Sequence, residues 1–273
     1  MQLSTLIYET DGPVAKLTLN RPERTNAMNK TMLEEIEQVC DAVDTDSQIR
    51  ALVVTGTGSA FSSGFDLKEQ MQARPSGKAI WREILDRDFH ATMRFWSLSK
   101  PTIAAVHGPC LAGAFELALA CDITIADETA FFGEPELKFG AGIVTMILPW
   151  ITGPKQAKEI ILNGLDNIPA PEAHRLGLVN RVVPAGTDVD AAMAMARHVA
   201  VIDPDLVRET KRAINRAYEI QGMREALTVG LDIDHGIESH GSPDKQAFMD
   251  IARDKGLRAA LDWRDARFDK AKR

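Results

Sequence analysis

The chain has 273 residues, 45% hydrophobic, 26% charged and only 6% aromatic, which fits a soluble globular protein and excludes a disordered chain or a coiled coil. Its formal net charge of -7 sets the overall field against nucleic acid and anionic membrane, so an anionic ligand would need local groups to hold it. Three cysteines, Cys40, Cys110 and Cys121, form no CxxC pair, and an odd count fits buried free thiols in a reducing compartment, with cytoplasm as the expectation.

The opening "MQLSTLIYETDG" lacks the basic and apolar regions of a signal peptide and reads as a strand. No apolar run approaches the length that spans a bilayer. "STLIYETDGPVAKLTLNRP" contains two strand-like stretches around Asp11, Gly12 and Pro13, a hairpin pattern. In "KTMLEEIEQVCDAV", Met32, Leu33, Ile36, Val39, Cys40 and Val43 recur at helical spacing. "IRALVVTG" then predicts a short buried strand. A second unit follows, with "KPTIAAVHG" as strand, "AGAFELALA" as helix and "CDITIAD" as strand. Strands alternating with helices argue for a parallel sheet with crossovers.

After about residue 150 the texture is mostly helical. "GPKQAKEIILNG" reads as a helix stopped by glycine, and "APEAHRLGLVNRVVP" as a short helix turning into a strand. From Asp188 onward the pattern predicts four amphipathic helices, the clearest being "PDLVRETKRAINRAYEI" and "PDKQAFMDIARDKGL", each opened by proline. The expectation is an α/β core over residues 1–200 and a helical region over 201–273, with a diffuse boundary and no linker.

Several motifs fail. "VVTGTGSAFSSG" places Phe61 where a dinucleotide fingerprint needs its third glycine. No phosphate-binding loop is present, and Ala60 stands where a G-x-S-x-G elbow around Ser62 needs glycine. The six histidines are scattered; His107, at a strand end, is the only one near the suspected site and reads as structural. No metal site can be argued from this spacing.

The informative pair is "GSAFSSGFDLKE" and "HGPCLAGAFELALACD". Each passes from a strand through small residues into a helix, leaving backbone N–H groups without intrahelical partners. Two such groups converging on one point would hold an oxygen that gains negative charge in a reaction. Glu116 lies three residues after Gly113, so both share a helix face near its first turn. A second candidate is Glu136 in "AFFGEPELKFG", just after Pro135. The alternative for Glu116 is a carboxylate satisfied by backbone donors or an arginine, and for Glu136 a first-turn residue facing the helix dipole.

"AFSSGFDLKE", "KPTIAAVHGPCLAGAFELALACDITIAD", "FFGEPEL" and "APEAHRLGLVNRVVP", in this order, resemble the enoyl-CoA hydratase/isomerase, or crotonase, superfamily. "LNRPERTNAMN" is similar to that family's early coenzyme A loop, so the resemblance covers nearly the whole chain. It implies an α/β crotonase-like core of repeated ββα units, with a helical C-terminal region used in trimerisation, as a homotrimer or a hexamer of two trimers. The implied substrate is an acyl-CoA thioester, with no metal, no separate cofactor, and neither nucleic acid nor membrane as partner.

By position, the resemblance assigns the oxyanion hole to the backbone N–H groups of Phe65 and Gly113, and water handling in a hydratase to Glu116 and Glu136. The coenzyme would pass near Ala27, with Asp66, Leu67 and Lys68 lining its entry and Arg24 reaching a phosphate. Two glutamates favour hydration of a 2-enoyl-CoA to a 3-hydroxyacyl-CoA, because water addition needs two proton-handling groups and an isomerase needs one. The alternatives are a 3-enoyl to 2-enoyl-CoA isomerase, or a non-catalytic acyl-CoA-binding or RNA-binding relative. Two departures stand out. Glu134 adds a third carboxylate. "KFGAGIVTMILPW" replaces a more glycine-rich stretch, and Met146, Leu148 and Trp150 are expected to add bulk to the acyl pocket.

Overall fold

A computed structural model describes residues 2–271. Strands β1 (Leu6–Asp11) and β2 (Val14–Leu19) form the expected antiparallel hairpin, followed by α1 (Lys30–Thr45) and β3 (Ala51–Gly56). The side chain of Asn29 caps α1 by accepting from the Met32 N–H at 3.1 Å. Its Met32, Leu33, Ile36, Val39, Cys40 and Val43 are all buried, as the spacing predicts. Next come α2 (Leu67–Ala73), α3 (Lys78–Ser97), β4 (Thr102–Val106), β5 (Pro109–Leu111), α4 (Gly113–Ala120), β6 (Ile123–Asp127) and β7 (Phe131–Gly133). Then follow α5 (Leu148–Thr152), α6 (Pro154–Leu162), β8 (Ile168–Pro169), α7 (Ala170–Arg175) and β9 (Arg181–Val183). The chain continues as α8 (Asp188–Ala200), α9 (Pro204–Ile220), α10 (Met223–His240), α11 (Pro243–Lys255) and α12 (Leu257–Ala271).

The main sheet runs β1-β2-β3-β4-β6-β9, parallel everywhere except the hairpin, and a small sheet runs β5-β7-β8. Side chains alternate across the strands, so the main sheet is covered on both faces. Leu52, Val54, Ala104 and Val106 join α1, α3 and α4 in the larger core. Val53, Ile103, Ala105 and Ile125 pack against Ala192, Met193 and Ala196 of α8. Burial on both faces explains the unbroken apolar run of β3, every residue of which is buried.

Among the described residues, five helices run from Asp188 onward, one more than the pattern predicts, because the chain breaks at Gly256 (φ +87°) between α11 and α12. All three cysteines are buried and unpaired, as expected. No helix among the described residues is long and apolar enough to cross a membrane. Met146, Leu148 and Trp150 correct an expectation, since all three pack with the larger core and none lines the cavity described below.

Candidate active site

The two loops singled out in the sequence meet. Gly64 takes φ +92°, and a Cβ there would lie 2.7 Å from the Ala112 Cβ and 2.9 Å from the Leu111 oxygen. A Cβ on Gly113 would lie 2.3 Å from a carbon of the Phe65 ring. Both glycines therefore permit a close approach that any other residue would obstruct. Ala112 between them is strained: it holds φ +56°, ψ −137°, a region that L-residues rarely enter. Its N–H donates to the Gly133 oxygen at 2.8 Å, and its oxygen accepts from the Phe115 and Glu116 N–H groups. Among the described residues, the N–H groups of Phe65 and Gly113 donate to no other protein group. These two adjoining donors are the arrangement that could hold a charged oxygen.

Three carboxylates gather behind this point. Glu116, in the first turn of the wholly buried α4, accepts one bond from the Thr145 N–H at 3.0 Å, and its other oxygen has no partner. Among the described residues, no arginine satisfies it. Glu134 follows β7, with its N–H held by the Leu165 oxygen at 2.8 Å and both carboxylate oxygens unpartnered. Glu136 opens a short 3₁₀ turn after Pro135. One oxygen from each of the three lies within 4.8 Å of the others, so the set could in principle bracket a hard cation.

Proton uptake is the simpler way for these groups to lose charge, since no positive group is among those shifting them. Burial, then the Glu136 charge, pushes Glu116 well above the ordinary carboxylate range. Burial, then Glu136 and Glu116, does the same to Glu134. Burial raises Glu136 from 4.5 to about 8. Such groups share protons, and their titration belongs to the set.

A cavity of about 430 Å³ opens in front of the carboxylates. Arg24, Ala27, Asp66, Leu67 and Lys68 all line it, as do Phe65, Ala112 and Glu136; Glu116, Glu134 and Gly113 do not. Arg24 and Lys68 are exposed, and neither is paired with an acid among the described residues. Asp66 is otherwise engaged: it pairs with Arg21 at 2.8 Å and caps α2 by accepting from the Lys68 and Glu69 N–H groups. His107 lies apart, its Nδ1 3.1 Å from Asp188, a bond that raises the ring above its usual value.

Sequence reasoning missed the far wall. Trp81, Leu85 and Asp88 of α3, Asp234 and Glu238 of α10, Lys245 of α11 and Leu257, Leu261 and Arg264 of α12 also line the cavity. Helical spacing marks the apolar members as buried, but nothing in the pattern says which cavity they face.

The model of the family described as enoyl-CoA hydratase/isomerase matches residues 9–260. The crystal structure of an enoyl-CoA hydratase/isomerase from Xanthobacter autotrophicus Py2 superposes with a TM-score of 0.97 at 61% identity, covering 97% of this chain and 99% of that one. The short-chain-enoyl-CoA hydratase of Clostridium acetobutylicum is 36% identical over 225 residues, 80% of this chain and 84% of that protein. The mevalonyl-coenzyme A hydratase of Aspergillus fumigatus is 36% identical over 219 residues, 79% and 80% of the two chains. A match of this extent, on a site built from the same two loops that carry the sequence resemblance, makes this chain a member of the enoyl-CoA hydratase/isomerase family.

Proposed function

We propose that the protein hydrates a 2-enoyl-CoA to a 3-hydroxyacyl-CoA. The observation that carries the reading is the grouping of Glu116 with Glu136 and two unspent backbone N–H groups, with Glu136 and Phe65 opening on one cavity. In this reading the thioester oxygen sits on the N–H groups of Phe65 and Gly113, and a water lies between the glutamates. One carboxylate takes a proton as the water oxygen bonds to the β-carbon. The other delivers a proton to the α-carbon, so hydrogen and hydroxyl both end on the substrate. The thioester oxygen becomes enolate-like in between, and the two N–H groups favour that charge over the neutral ground state.

A shared proton in the carboxylate cluster supplies an acid and a base at neutral pH, which water addition requires. Glu134, itself pushed well above the ordinary carboxylate range, stands beside the pair as a further holder of that proton. Arg24 and Lys68, at the rim with no acid of their own, suit the phosphates of coenzyme A, and Ala27 and Leu67 its apolar stem. Asp66 acts here as the anchor of α2. No further cofactor is called for by this chemistry. We also infer self-assembly through α9 and α10, as a trimer or a pair of trimers, because Leu206, Ile214, Val229, Ile233 and Ile237 stand exposed there.

One observation favours a second reading. Only Glu136 of the three carboxylates opens on the cavity, which suits a 3-enoyl to 2-enoyl-CoA isomerase moving one proton. Loss of enoyl absorbance with a panel of 2-enoyl-CoAs separates the two, with Glu116→Gln and Glu136→Gln run beside the wild type. Hydration lost in both variants is the expected result. Conversion of a 3-enoyl-CoA instead, surviving Glu116→Gln, would move the assignment to isomerase.

A further inference from the structure

The cavity wall formed by α3, α10 and α11 is too polar for a plain hydrocarbon chain. The apolar lining comes from Trp81, Leu85 and Val144, but four ionisable side chains stand among them, Asp88, Asp234, Glu238 and Lys245, each at most 8% exposed. Three of the four are accounted for. Asp88 accepts from Arg87 at 2.8 Å. Glu238 pairs with Lys245 and accepts from the Gly142 N–H at 3.2 Å. The Lys245 ammonium also lies 4.3 Å above the Trp81 ring.

Asp234 is the exception. It is 2% exposed, it lines the cavity, and neither of its carboxylate oxygens has a hydrogen-bond partner. It belongs to the inward face of α10, in step with Leu227, Leu231 and Glu238. Room is made for it on the facing segment: a Cβ on Gly142 would lie 1.8 Å from its Oδ1. Leaving a buried acceptor unmet costs free energy, and a carboxylate offers only acceptor sites unless it takes a proton. Burial raises Asp234 to about 6 against the opposing Lys245 charge, and in its ionised form its unmet demand is for donors.

We propose that the acyl group of the substrate carries an O–H or N–H donor beyond the reacting double bond, and that Asp234, seated against Gly142, accepts from it. A hydroxylated 2-enoyl-CoA is the class that fits best, since the same cavity already holds the Lys245 cation. This rests on the acyl-CoA reading above and adds to it the polarity of the acyl chain. Trp81, Leu85 and Val144 hold the intervening carbons, and a straight alkyl tail would leave Asp234 desolvated without a partner.

The test compares 2-octenoyl-CoA with isomers bearing a hydroxyl or a primary amine at successive carbons beyond the double bond. Wild type, Asp234→Leu and Gly142→Ala are run together, and the readout is the ratio of kcat/KM between substituted and plain substrate. The expected result is a preference on the order of 10- to 100-fold for one hydroxylated isomer, the scale of a hydrogen bond to a charged group, collapsing in both variants. A preference for the amine instead would identify an ammonium as the donor. Equal kcat/KM for plain and substituted chains, or a preference that survives Asp234→Leu, would overturn the inference.

Binding of the saturated acyl-CoAs, with and without the hydroxyl, is measured in parallel by calorimetry. If no enoyl-CoA is hydrated but the hydroxylated ligand still binds more tightly through Asp234, the hydratase reading fails and this inference stands. Hydration of plain and hydroxylated substrates alike, with equal affinities, leaves hydratase in place and removes the inference.

Discussion

A Cβ at Gly113 meets the Phe65 ring at 2.3 Å, so Gly113→Ala has to push apart the two loops whose N–H groups point nowhere else. Turnover on the best enoyl-CoA is expected to fall by about a hundredfold, the scale of losing one donor to an oxyanion, with near-UV circular dichroism little changed. Glu134 makes a different kind of prediction. Burial lifts its carboxyl in the folded state, so its contribution to stability is full below its unfolded value and is lost as pH rises through the folded one. Glu134→Gln removes that loss. Its melting temperature should gain little over wild type near pH 5 and more near pH 8, about 2–4 °C for each kcal/mol in a chain of this size. A gain equal at both values would show that the buried carboxyl does not resist ionisation. Sequence alone exposed Glu116 and Glu136 because each stands out in an apolar stretch. Asp234 gave no such signal, since an aspartate on an amphipathic helix ordinarily faces water.

Among the elements, α2 depends most on a single side chain. It has seven residues, none buried, so packing does little to hold it and the cap does much. Asp66 supplies that cap and also neutralises Arg21. Asp66→Ala is expected to cost about 1–2 kcal/mol locally and to raise KM for acyl-CoA with kcat nearly constant. Hydrogen exchange over residues 67–73 should accelerate in step; unchanged exchange there would mean that something other than the cap orders the helix. α1, β3, β4 and α4 were legible in the sequence because their burial is periodic or complete. The break between α11 and α12 was not, because a glycine near a helix end is equally a stop or a tolerated interior residue.

For the whole molecule, α10 is two-sided. Leu227, Leu231, Asp234 and Glu238 face inward, whereas Val229, Ile233 and Ile237 form an exposed stripe at four-residue spacing. Apolar side chains aligned in this way mark a surface that another subunit can cover. Ile233→Glu is expected to shift the sedimenting species toward monomer while the isolated chain keeps its helical content. The wild type should sediment as a trimer or a multiple of it; a monomeric wild type would dismiss the assembly. One helix would then serve both the subunit contact and the acyl end of the cavity.

What the sequence by itself determined is the set of local facts: the hairpin, the alternating strands and helices, the glycines that let two loops approach, and two glutamates out of keeping with their surroundings. These are written in near-neighbour pattern, which follows from helix and strand period. Tertiary structure alone decided that Met146, Leu148 and Trp150 turn into the core, and that α3, α10, α11 and α12 wall the cavity. Those outcomes depend on which faces meet across long stretches of chain, and packing settles that where no local spacing can.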